Sequence, residues 1–326
     1  WIAGPIIRYG NFLRESLKKN FLKVDPKNLS TGITIILIGL FKKIVLADTL
    51  GIYVDNFYIK INSGADFSSI DSMLFIIFFS AQIYFDFSAY CDIAVGIAKI
   101  INFNIPINFN SPYKAKSIID FWKKWHITLS QFFRDYFYIA LGGNKNNFII
   151  KMAIIVLVMS ICGLWHGASN NFIFWGLLHG IMISLNHLVN RFDIFNFRKF
   201  PDFIKIIFTF SVVSILFVFF RVPSISQAFE IILSVFNFSN YFNYSIFINE
   251  ISLGNKIIMI FSLLIIFFAP NIFQIFDLRI ININKIENNK LIKFKTNFNW
   301  LFLNLILVIF ITFNLGKPST FIYFHF

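Results

Sequence analysis

Long runs of apolar residues with almost no charge constrain this chain more than any other feature. The cleanest of them cover residues 206–220, 257–270 and 301–315. With their flanks they approach the roughly 20 residues that a helix needs to cross bilayer hydrocarbon. Of the 326 residues, 57% are apolar and 14% are charged, against about 25% charged in soluble domains. A soluble fold could not bury so much Phe, Ile and Leu, and we expect an integral membrane protein.

Hydropathy predicts seven membrane-crossing helices and therefore an all-α, polytopic fold. The predicted spans cover residues 31–53, 69–98, 149–167, 171–190, 203–221, 256–276 and 298–316. Their connections alternate in Lys and Arg content, as expected when positive charge stays on the cytoplasmic side. The connections rich in Lys and Arg are 8–27, 99–151, 191–205 and 279–295, and the poor ones include 54–68 and 222–255. Topology thus accounts for the net charge of +13, and no nucleic-acid motif is present.

Two regions depart from this simple pattern. Lys42 and Lys43 interrupt the first span, so we expect that helix to be broken or to lie partly along the membrane interface. Residues 102–147 are too polar and too aromatic for one span, and they include Pro106 and Pro112. Non-helical backbone at membrane depth is tolerated only where protein or a water-filled cavity surrounds it. We therefore interpret residues 102–147 as an inserted, re-entrant region.

Two Trp-His pairs are the strongest candidates for chemistry. Trp125-His126 lies in the inserted region, and Trp165-His166 ends the apolar run of the third span. With six Trp and five His in the chain, even one such pair is improbable by chance. An ionisable side chain inside a span is costly, so function is its default interpretation. The alternative is a structural histidine that hydrogen-bonds a backbone carbonyl and fixes packing.

The residues around His166 suit a catalytic base. A mostly neutral imidazole accepts a proton at physiological pH. Gly163 and Gly167 flank His166 and leave space for a substrate, and the charge pattern places it near the outer end of its helix. If the fold brings His126 to the same cavity, one imidazole acts as base and the other orients the substrate or stabilises developing charge.

Acidic residues also stand out, because a buried carboxylate needs a partner. Asp86 and Asp92 lie in an otherwise apolar stretch, on different faces of the predicted helix. We expect them to pair with Arg134, Lys99 or a histidine. The adjacent Arg134 and Asp135 belong either to an aromatic belt at the membrane interface or to the lining of a substrate channel.

The other two histidines of the spans have less distinctive surroundings. His179 and His187 lie on one predicted helix, about two turns apart on a similar face. His187 lies beside Arg191 near the cytoplasmic end, and we expect it at the interface. His179 lies in mid-span between Gly176 and Gly180, a small-residue face that suits packing against another helix.

Several of these stretches together resemble a known family. The matching stretches are residues 3–9, 39–48, 84–94, 121–130, 133–144, 163–168 and 321–326. In content and order they resemble the membrane-bound O-acyltransferases (MBOAT), in the bacterial alginate and peptidoglycan O-acetyltransferase-like branch. Members of that family have further helices before the first of these stretches. The resemblance therefore implies that N-terminal helices are missing from this chain.

The resemblance implies one domain over residues 1–326, with a ring of tilted helices and half-spanning segments around a central funnel. Funnels from both faces would meet near His166, the catalytic histidine, with His126 as the second. In the tail, Tyr323 is a candidate acyl relay. The positions expected to line the substrate channel or support the histidines are Trp125, Trp165, Asp86, Ser130, Arg134 and Asp135.

The same resemblance implies an O-acyltransferase of the bacterial inner membrane. An acyl group, acetyl in the named branch, would pass from a cytoplasmic thioester donor, either acetyl-CoA or an acyl-carrier thioester, to an extracytoplasmic polysaccharide. We expect an extracytoplasmic acyltransferase partner protein and contact with membrane lipid. We expect no bound cofactor and no metal, since the sequence has no Cys/His cluster or nucleotide motif.

Other functions stay open at this level. Intramembrane His and Asp also line proton and substrate paths, so a secondary transporter or channel is the main alternative. The sequence shows none of the inverted repeats that many transporters have. A D-alanyl-type transferase of the same family and a non-catalytic assembly scaffold are the remaining alternatives.

Overall fold

The computed structural model describes residues 4–64, 67–192, 199–237, 245–276, 278, 281–282, 292–316 and 322, with the side chains of 247 and 248 left out. Within these ranges the chain is helical and has no β-strand, which confirms the all-α prediction. The helices are α1 Tyr9–Ser16, α2 Pro26–Leu40, α3 Asp48–Asn62, α4 Ser69–Ile100, α5 Ile118–Trp122, α6 Ile127–Phe133, α7 Phe148–His166, α8 Asn170–Phe192, α9 Asp202–Arg221, α10 Ile225–Ser234, α11 Ile246–Asn249, α12 Leu253–Phe268, α13 Ile272–Ile275 and α14 Phe298–Asn314.

Polar side chains cap the N-termini of two of the long apolar helices, α4 and α7. The Ser68 hydroxyl accepts a hydrogen bond from the Asp71 N–H at the start of α4. The Asn147 side chain accepts one from the Ile150 N–H at the start of α7. Each cap satisfies one of the backbone N–H groups that a helix leaves unpaired in its first turn. Capped ends with apolar residues between them are what a helix in hydrocarbon requires.

Five helices of the described chain are long and apolar enough to cross a membrane. They are Pro26–Asn62, Ser69–Ile100, Phe148–His166, Asn170–Phe192 and Asp202–Arg221. These helices match the first five predicted spans in position. The chain is therefore a multi-pass membrane protein.

The last two predicted spans form shorter apolar helices than hydropathy indicated. α12 has 16 residues and ends at Phe268 instead of continuing to residue 276. The cause is Pro270, because a proline forces the residue before it into extended backbone. Ala269 accordingly has φ −71° and ψ 146°, and Asn271 then caps the short helix α13. The other short helix, α14, has 17 residues.

The first span is one continuous helix, so the expected break at its two lysines was wrong. Residues Pro26–Asn62 run through α2, a π-helical turn at Phe41–Ala47, and α3. Lys42 and Lys43 both lie in the π-helical turn. Their ammonium groups are held by carboxylates within the protein, which removes the reason for the helix to break or to move to the interface.

The helix α4 forms the centre of the described structure. Of its most apolar membrane-length window, 83% is buried inside the protein, and it packs along α2, α3 and α9. Three carboxylates of α4, those of Asp71, Asp86 and Asp92, are buried with it. The Asp71 carboxylate accepts hydrogen bonds from the hydroxyls of Tyr53 and Ser245, both at 2.9 Å. The central helix is thus held by polar contacts as well as by apolar packing.

Helices α7 and α8 form a tightly packed antiparallel pair. A Cβ atom added at Gly163 would overlap the backbone carbonyl oxygen of Phe172, and one added at Gly176 would overlap that of Met159. Only glycine lets two helix backbones approach so closely. The contact fixes the end of α7, and with it His166, against the start of α8.

The chain between α4 and α7 contains no long helix. It forms the short helices α5 and α6, a π-helical turn at Arg134–Tyr138, and irregular backbone before them. Ile107 and Phe109 in that irregular backbone are 0% and 6% exposed. The non-helical backbone is therefore enclosed by protein, the condition under which it is tolerated at membrane depth.

Substituting Gly163 by Ala tests the α7–α8 contact. The new methyl group would press on the Phe172 carbonyl, and overpacking of this kind costs about 1–3 kcal/mol. We expect a lower thermal unfolding midpoint of the purified protein in detergent. Gly254→Ala in α12 is the matched control, because a Cβ there meets no atom within 4 Å. Equal midpoints for the two variants would contradict the close approach of α7 and α8.

Candidate functional site

His166 is the last residue of α7 and is enclosed by aromatic rings. Its side chain is buried, and its imidazole makes edge-to-face contacts with Trp165, Trp175 and Phe220 at centroid distances of 5.2, 5.4 and 5.2 Å. Edge-to-face packing of this kind is favourable for aromatic rings. Trp165 itself is 49% exposed, so this ring lies between the imidazole and the protein surface.

His126 occupies a strained position just before α6. Its φ and ψ are 40° and 53°, in the left-handed region that residues other than glycine rarely adopt. The side chain is buried, and the ring of Phe87 packs edge-on against it at 4.7 Å. Strain of this kind persists only where the surroundings over-determine it, and it concentrates at functional sites.

Asn108 supplies that surrounding structure. Its side-chain oxygen accepts hydrogen bonds from the Thr128 N–H at 3.2 Å and the Thr128 hydroxyl at 2.9 Å. The same oxygen lies 3.2 Å from His126 Nδ1. Since this oxygen can only accept, Nδ1 carries the proton and Nε2 of the neutral ring keeps its lone pair. Asn108 therefore fixes both the position and the tautomer of His126.

The structure brings the two Trp-His histidines within electrostatic range of each other. His126 lies in the connection before α6, outside the five long helices. Burial lowers the pKa of its imidazole well below the ordinary value, and the proximity of His166 lowers it further. Both effects favour the neutral ring, the form that can accept a proton.

Trp125 lies at the centre of an aromatic cluster between the inserted region and α9. Its indole is 2% exposed and contacts Phe109, Phe121 and Phe217 at 5.0, 5.5 and 5.1 Å. Phe217 also stacks on Trp175, at 6.3 Å, which in turn contacts His166. The aromatic cluster thus connects the two Trp-His pairs.

A hydrogen bond between Trp122 and His179 ties the inserted region to α8. The Trp122 indole N–H donates to His179 Nδ1 at 3.2 Å, and both side chains are buried. Sequence reasoning assigned His179 only a packing role. Gly176 and Gly180 do pack against α7, but the His179 ring points to Trp122 and Trp175, at 5.1 and 4.8 Å. The Trp122-to-His179 pairing has no signal in the sequence.

An apolar groove of about 260 Å³ lies between α5, α8 and α9. Met182, three residues after His179 on α8, lies in its wall, and residues three apart share a helix face. Ser117 and Asn186 line the groove. Ser117 lies within residues 99–151 and Asn186 lies just before residues 191–205, and the charge pattern places both of these segments on the cytoplasmic side.

Asp86 pairs with Lys43, and not with the expected Arg134, Lys99 or a histidine. The distance from Lys43 Nζ to the Asp86 carboxylate is 2.7 Å, and Lys43 also lies 2.9 Å from Asp48. The second Asp86 oxygen accepts a hydrogen bond from the Ile322 N–H at 2.8 Å. Asp86 therefore anchors the first helix and the C-terminal segment to α4.

Asp92 likewise pairs with Lys42, at 2.6 Å. The Lys42 ammonium group also donates to the Ser88 hydroxyl at 3.2 Å, so both acids of α4 face the π-helical turn. The sequence places the two acids on different faces of the helix, but each pairs with its own lysine of the same π-helical turn, and not with Arg134, Lys99 or a histidine. The π-helical turn accounts for this, because it presents two successive lysines to one neighbouring helix.

The polar residues predicted to support the site after Thr128 lie toward the protein surface. The Ser130 hydroxyl, partly buried, donates to the Trp125 carbonyl at 3.4 Å. Arg134 is exposed and pairs with Asp135 at 2.7 Å, and Arg8 also pairs with Asp135. These hydrogen bonds, led by the one from Arg134, hold the pKa of Asp135 below its ordinary value. The Arg134–Asp135 pair belongs to this surface cluster rather than to the histidine pair.

The remaining predicted features concern the tail and metal binding. Tyr323 lies outside the described residues. In the part of the chain that the structure describes, no group of three or more His, Cys, Asp or Glu side chains is placed to hold a metal ion.

The fold and the site define a multi-pass membrane protein with two neighbouring buried histidines in an aromatic enclosure. The model of the membrane-bound O-acyltransferase family, MBOAT, matches residues 1–225. The chain belongs to this family, as its motifs indicated.

Curated relatives agree with this assignment. The peptidoglycan O-acetyltransferase of Helicobacter pylori is 41% identical over 235 residues, which cover 71% of this chain and 43% of the relative. The probable alginate O-acetylase AlgI of Azotobacter vinelandii is 33% identical over 240 residues, 74% of this chain and 46% of the relative. The teichoic acid D-alanyltransferase of Bacillus subtilis is 28% identical over 198 residues, 59% of this chain and 49% of the relative. The match thus covers less than half the length of these relatives.

Substituting Lys42 by Met tests the buried ion pairs. The Asp92 carboxylate would lose its cation, and an uncompensated buried charge costs about 3–5 kcal/mol. We expect a marked drop in the thermal unfolding midpoint in detergent. The double variant Lys42→Met, Asp92→Leu removes both charges and is expected to recover most of the loss. A double variant as unstable as the single one would refute the pairing.

Proposed function

We propose that the protein transfers an acyl group, acetyl in the first instance, from a cytoplasmic thioester to a hydroxyl group destined for an extracytoplasmic polysaccharide. The observation that carries this proposal is the pair of neighbouring buried imidazoles, His126 and His166, in a chain of the MBOAT family. One comes from the inserted region and the other from the end of a membrane-length helix. The proposal concerns the whole protein, of which this chain represents a part or all.

His166 acts as the general base in the proposed reaction. Its imidazole removes the proton from the acceptor hydroxyl as the oxygen attacks the carbonyl carbon of the thioester. The carbonyl electrons move to the oxygen, and the tetrahedral intermediate collapses with cleavage of the C–S bond. The thiolate leaves and takes the proton back from His166. His126, held by Asn108, orients the acceptor by accepting a hydrogen bond from its hydroxyl group at Nε2.

The groove between α5, α8 and α9 is the proposed binding site for the donor. Its volume of about 260 Å³ suits the end of an extended acyl-thioester arm better than a whole donor molecule. Lys123 and Lys124 directly follow α5 in the sequence. We propose that a donor that carries phosphate enters the groove beside them. Acetyl-CoA and an acyl-carrier thioester both meet this description.

The acceptor and the partners are proposed from the relatives. Two of them are named for peptidoglycan and alginate O-acetylation, and we propose a cell-envelope polysaccharide as the final acceptor. A partner acyltransferase on the outer side of the bacterial inner membrane would complete the transfer. The teichoic acid relative is less similar, which favours acetyl over D-alanyl transfer.

Substituting His166 by Ala in the full-length protein tests the proposal. Loss of a general base reduces turnover by roughly 100- to 10,000-fold. The measurement is transfer of labelled acetyl from acetyl-CoA or an acetyl-loaded carrier by the protein in proteoliposomes, at matched protein abundance. Gly254→Ala in α12 is the control, because a Cβ there meets no atom within 4 Å and we expect wild-type turnover.

Three outcomes would contradict the proposal. Normal turnover by the His166→Ala protein would remove the assigned base. Proton-driven flux of a solute without thioester consumption would indicate a transporter. Normal polysaccharide modification in cells with the double variant His126→Ala, His166→Ala would indicate a scaffold.

A further inference from the structure

Two buried N–H groups beside His166 have no acceptor in the part of the protein that the structure describes. Trp175 and His179 are 1% and 0% exposed. Trp175 Nε1 and His179 Nε2 have no hydrogen-bond partner among the described residues. Burying a polar group without a partner is unfavourable, and nearly all such groups in proteins are satisfied. Two of them in one place therefore need an explanation.

Both groups are donors. An indole nitrogen can only donate. For His179 the tautomer follows from the hydrogen bond in which Trp122 Nε1–H donates to Nδ1. Because Nδ1 accepts, the neutral ring carries its proton on Nε2. The tautomer of His179 is thus the opposite of that of His126, in which Nδ1 carries the proton and Nε2 keeps a lone pair.

The two donors lie close to each other and to His166. Trp175 and His179 are four residues apart on α8 and so share a helix face. Their rings are 4.8 Å apart, and the Trp175 ring is 5.4 Å from that of His166. The groove wall at Met182 continues the same face of α8. The two N–H groups therefore lie between the groove proposed for the acyl thioester and His166, the proposed base.

We propose that Trp175 Nε1–H and His179 Nε2–H bind the carbonyl oxygen of the acyl thioester and stabilise its negative charge in the tetrahedral intermediate. This inference rests on the proposed function. When the acceptor oxygen bonds to the carbonyl carbon, the carbonyl π electrons become a lone pair on the oxygen, which receives both hydrogen bonds. When the C–S bond breaks, the carbonyl re-forms and the thiolate leaves with the proton from His166. Donors aimed at a developing oxyanion in a buried site are an effective catalytic device.

Trp122 is a positioning residue in this arrangement. Its N–H holds the His179 tautomer that presents Nε2–H. It also places the inserted region, which carries His126, against α8. Loss of the Trp122 N–H is expected to lower turnover less than loss of either donor, because His179 can still adopt the required tautomer part of the time.

The test compares variants that differ mainly in one N–H group, in the full-length protein. Trp175→Phe removes the indole donor. His179→Asn keeps an acceptor near the Nδ1 position but has no donor at the Nε2 position, whereas His179→Gln restores one there. We expect Trp175→Phe and His179→Asn to lower kcat by about 100-fold each, with a smaller loss for His179→Gln. Trp300→Phe, which removes an indole hydrogen bond to Lys293 far from the site, is expected to match the wild type.

The KM for the donor and a binding measurement separate this role from a structural one. For both variants kcat is expected to fall by a larger factor than the KM for the acyl thioester rises, since the two N–H groups bind the oxygen of the transition state more strongly than the ground-state carbonyl. Binding of S-acetonyl-CoA, which has a carbonyl oxygen, is expected to weaken in both variants, and binding of S-propyl-CoA, which lacks one, is expected to stay unchanged. The comparison is valid even if the variants are less stable. Only folded protein binds either analogue, so a loss of folded protein would reduce both signals equally.

The outcomes distinguish the two proposals. If the wild type cleaves the thioester, His166→Ala does not, and Trp175→Phe and His179→Asn both keep kcat within threefold, then the inference fails and the proposed function stands. Equal weakening of both CoA analogues would also overturn the inference. If the wild type itself transfers no acyl group, the proposed function fails.

Discussion

Hydrocarbon offers a polar group no hydrogen-bond partner, and this constraint determines how the protein is built. The inserted region carries irregular backbone and polar side chains, so its polar groups are satisfied from inside the protein. Asn108 serves Thr128 and His126 at once, and Trp122 donates to His179. The contacts that make the irregular segment tolerable are therefore the same contacts that hold the imidazoles in place.

The same constraint applies to charged side chains, which need a partner of opposite charge inside the protein. Lys42 and Lys43 can lie in the core because carboxylates of α4 neutralise their charges. The Lys Nζ-to-carboxylate distances are 2.6 Å to Asp92 and 2.7 Å to Asp86. A π-helical turn lets both lysines face one helix without a break. Asp86 also holds the C-terminal segment, since its second oxygen accepts a hydrogen bond from the Ile322 N–H. A buried ion pair of this kind contributes little net stability, but removal of one partner leaves a costly uncompensated charge.

Hydropathy and loop charge predicted the five long helices because these are local properties of composition. They overestimated the length of α12, since a sliding average is insensitive to one residue such as Pro270. The Trp-His dipeptides indicated His126 and His166 as candidates and left their proximity open, and the structure brings the two within electrostatic range. The partners of Lys42 and His179 were not predictable, because they lie 50 and 57 residues away along the chain and no local pattern encodes such distant pairs.

The lengths of the helices impose a condition on the surrounding lipid. At 1.5 Å per residue, the 16 and 17 residues of α12 and α14 span about 24 and 26 Å, less than the roughly 30 Å of hydrocarbon. The 32 residues of α4 span about 48 Å. This is hydrophobic mismatch of opposite sign in one molecule. A bilayer crossed by helices as short as α12 and α14 thins beside them, whereas a helix as long as α4 tilts or protrudes.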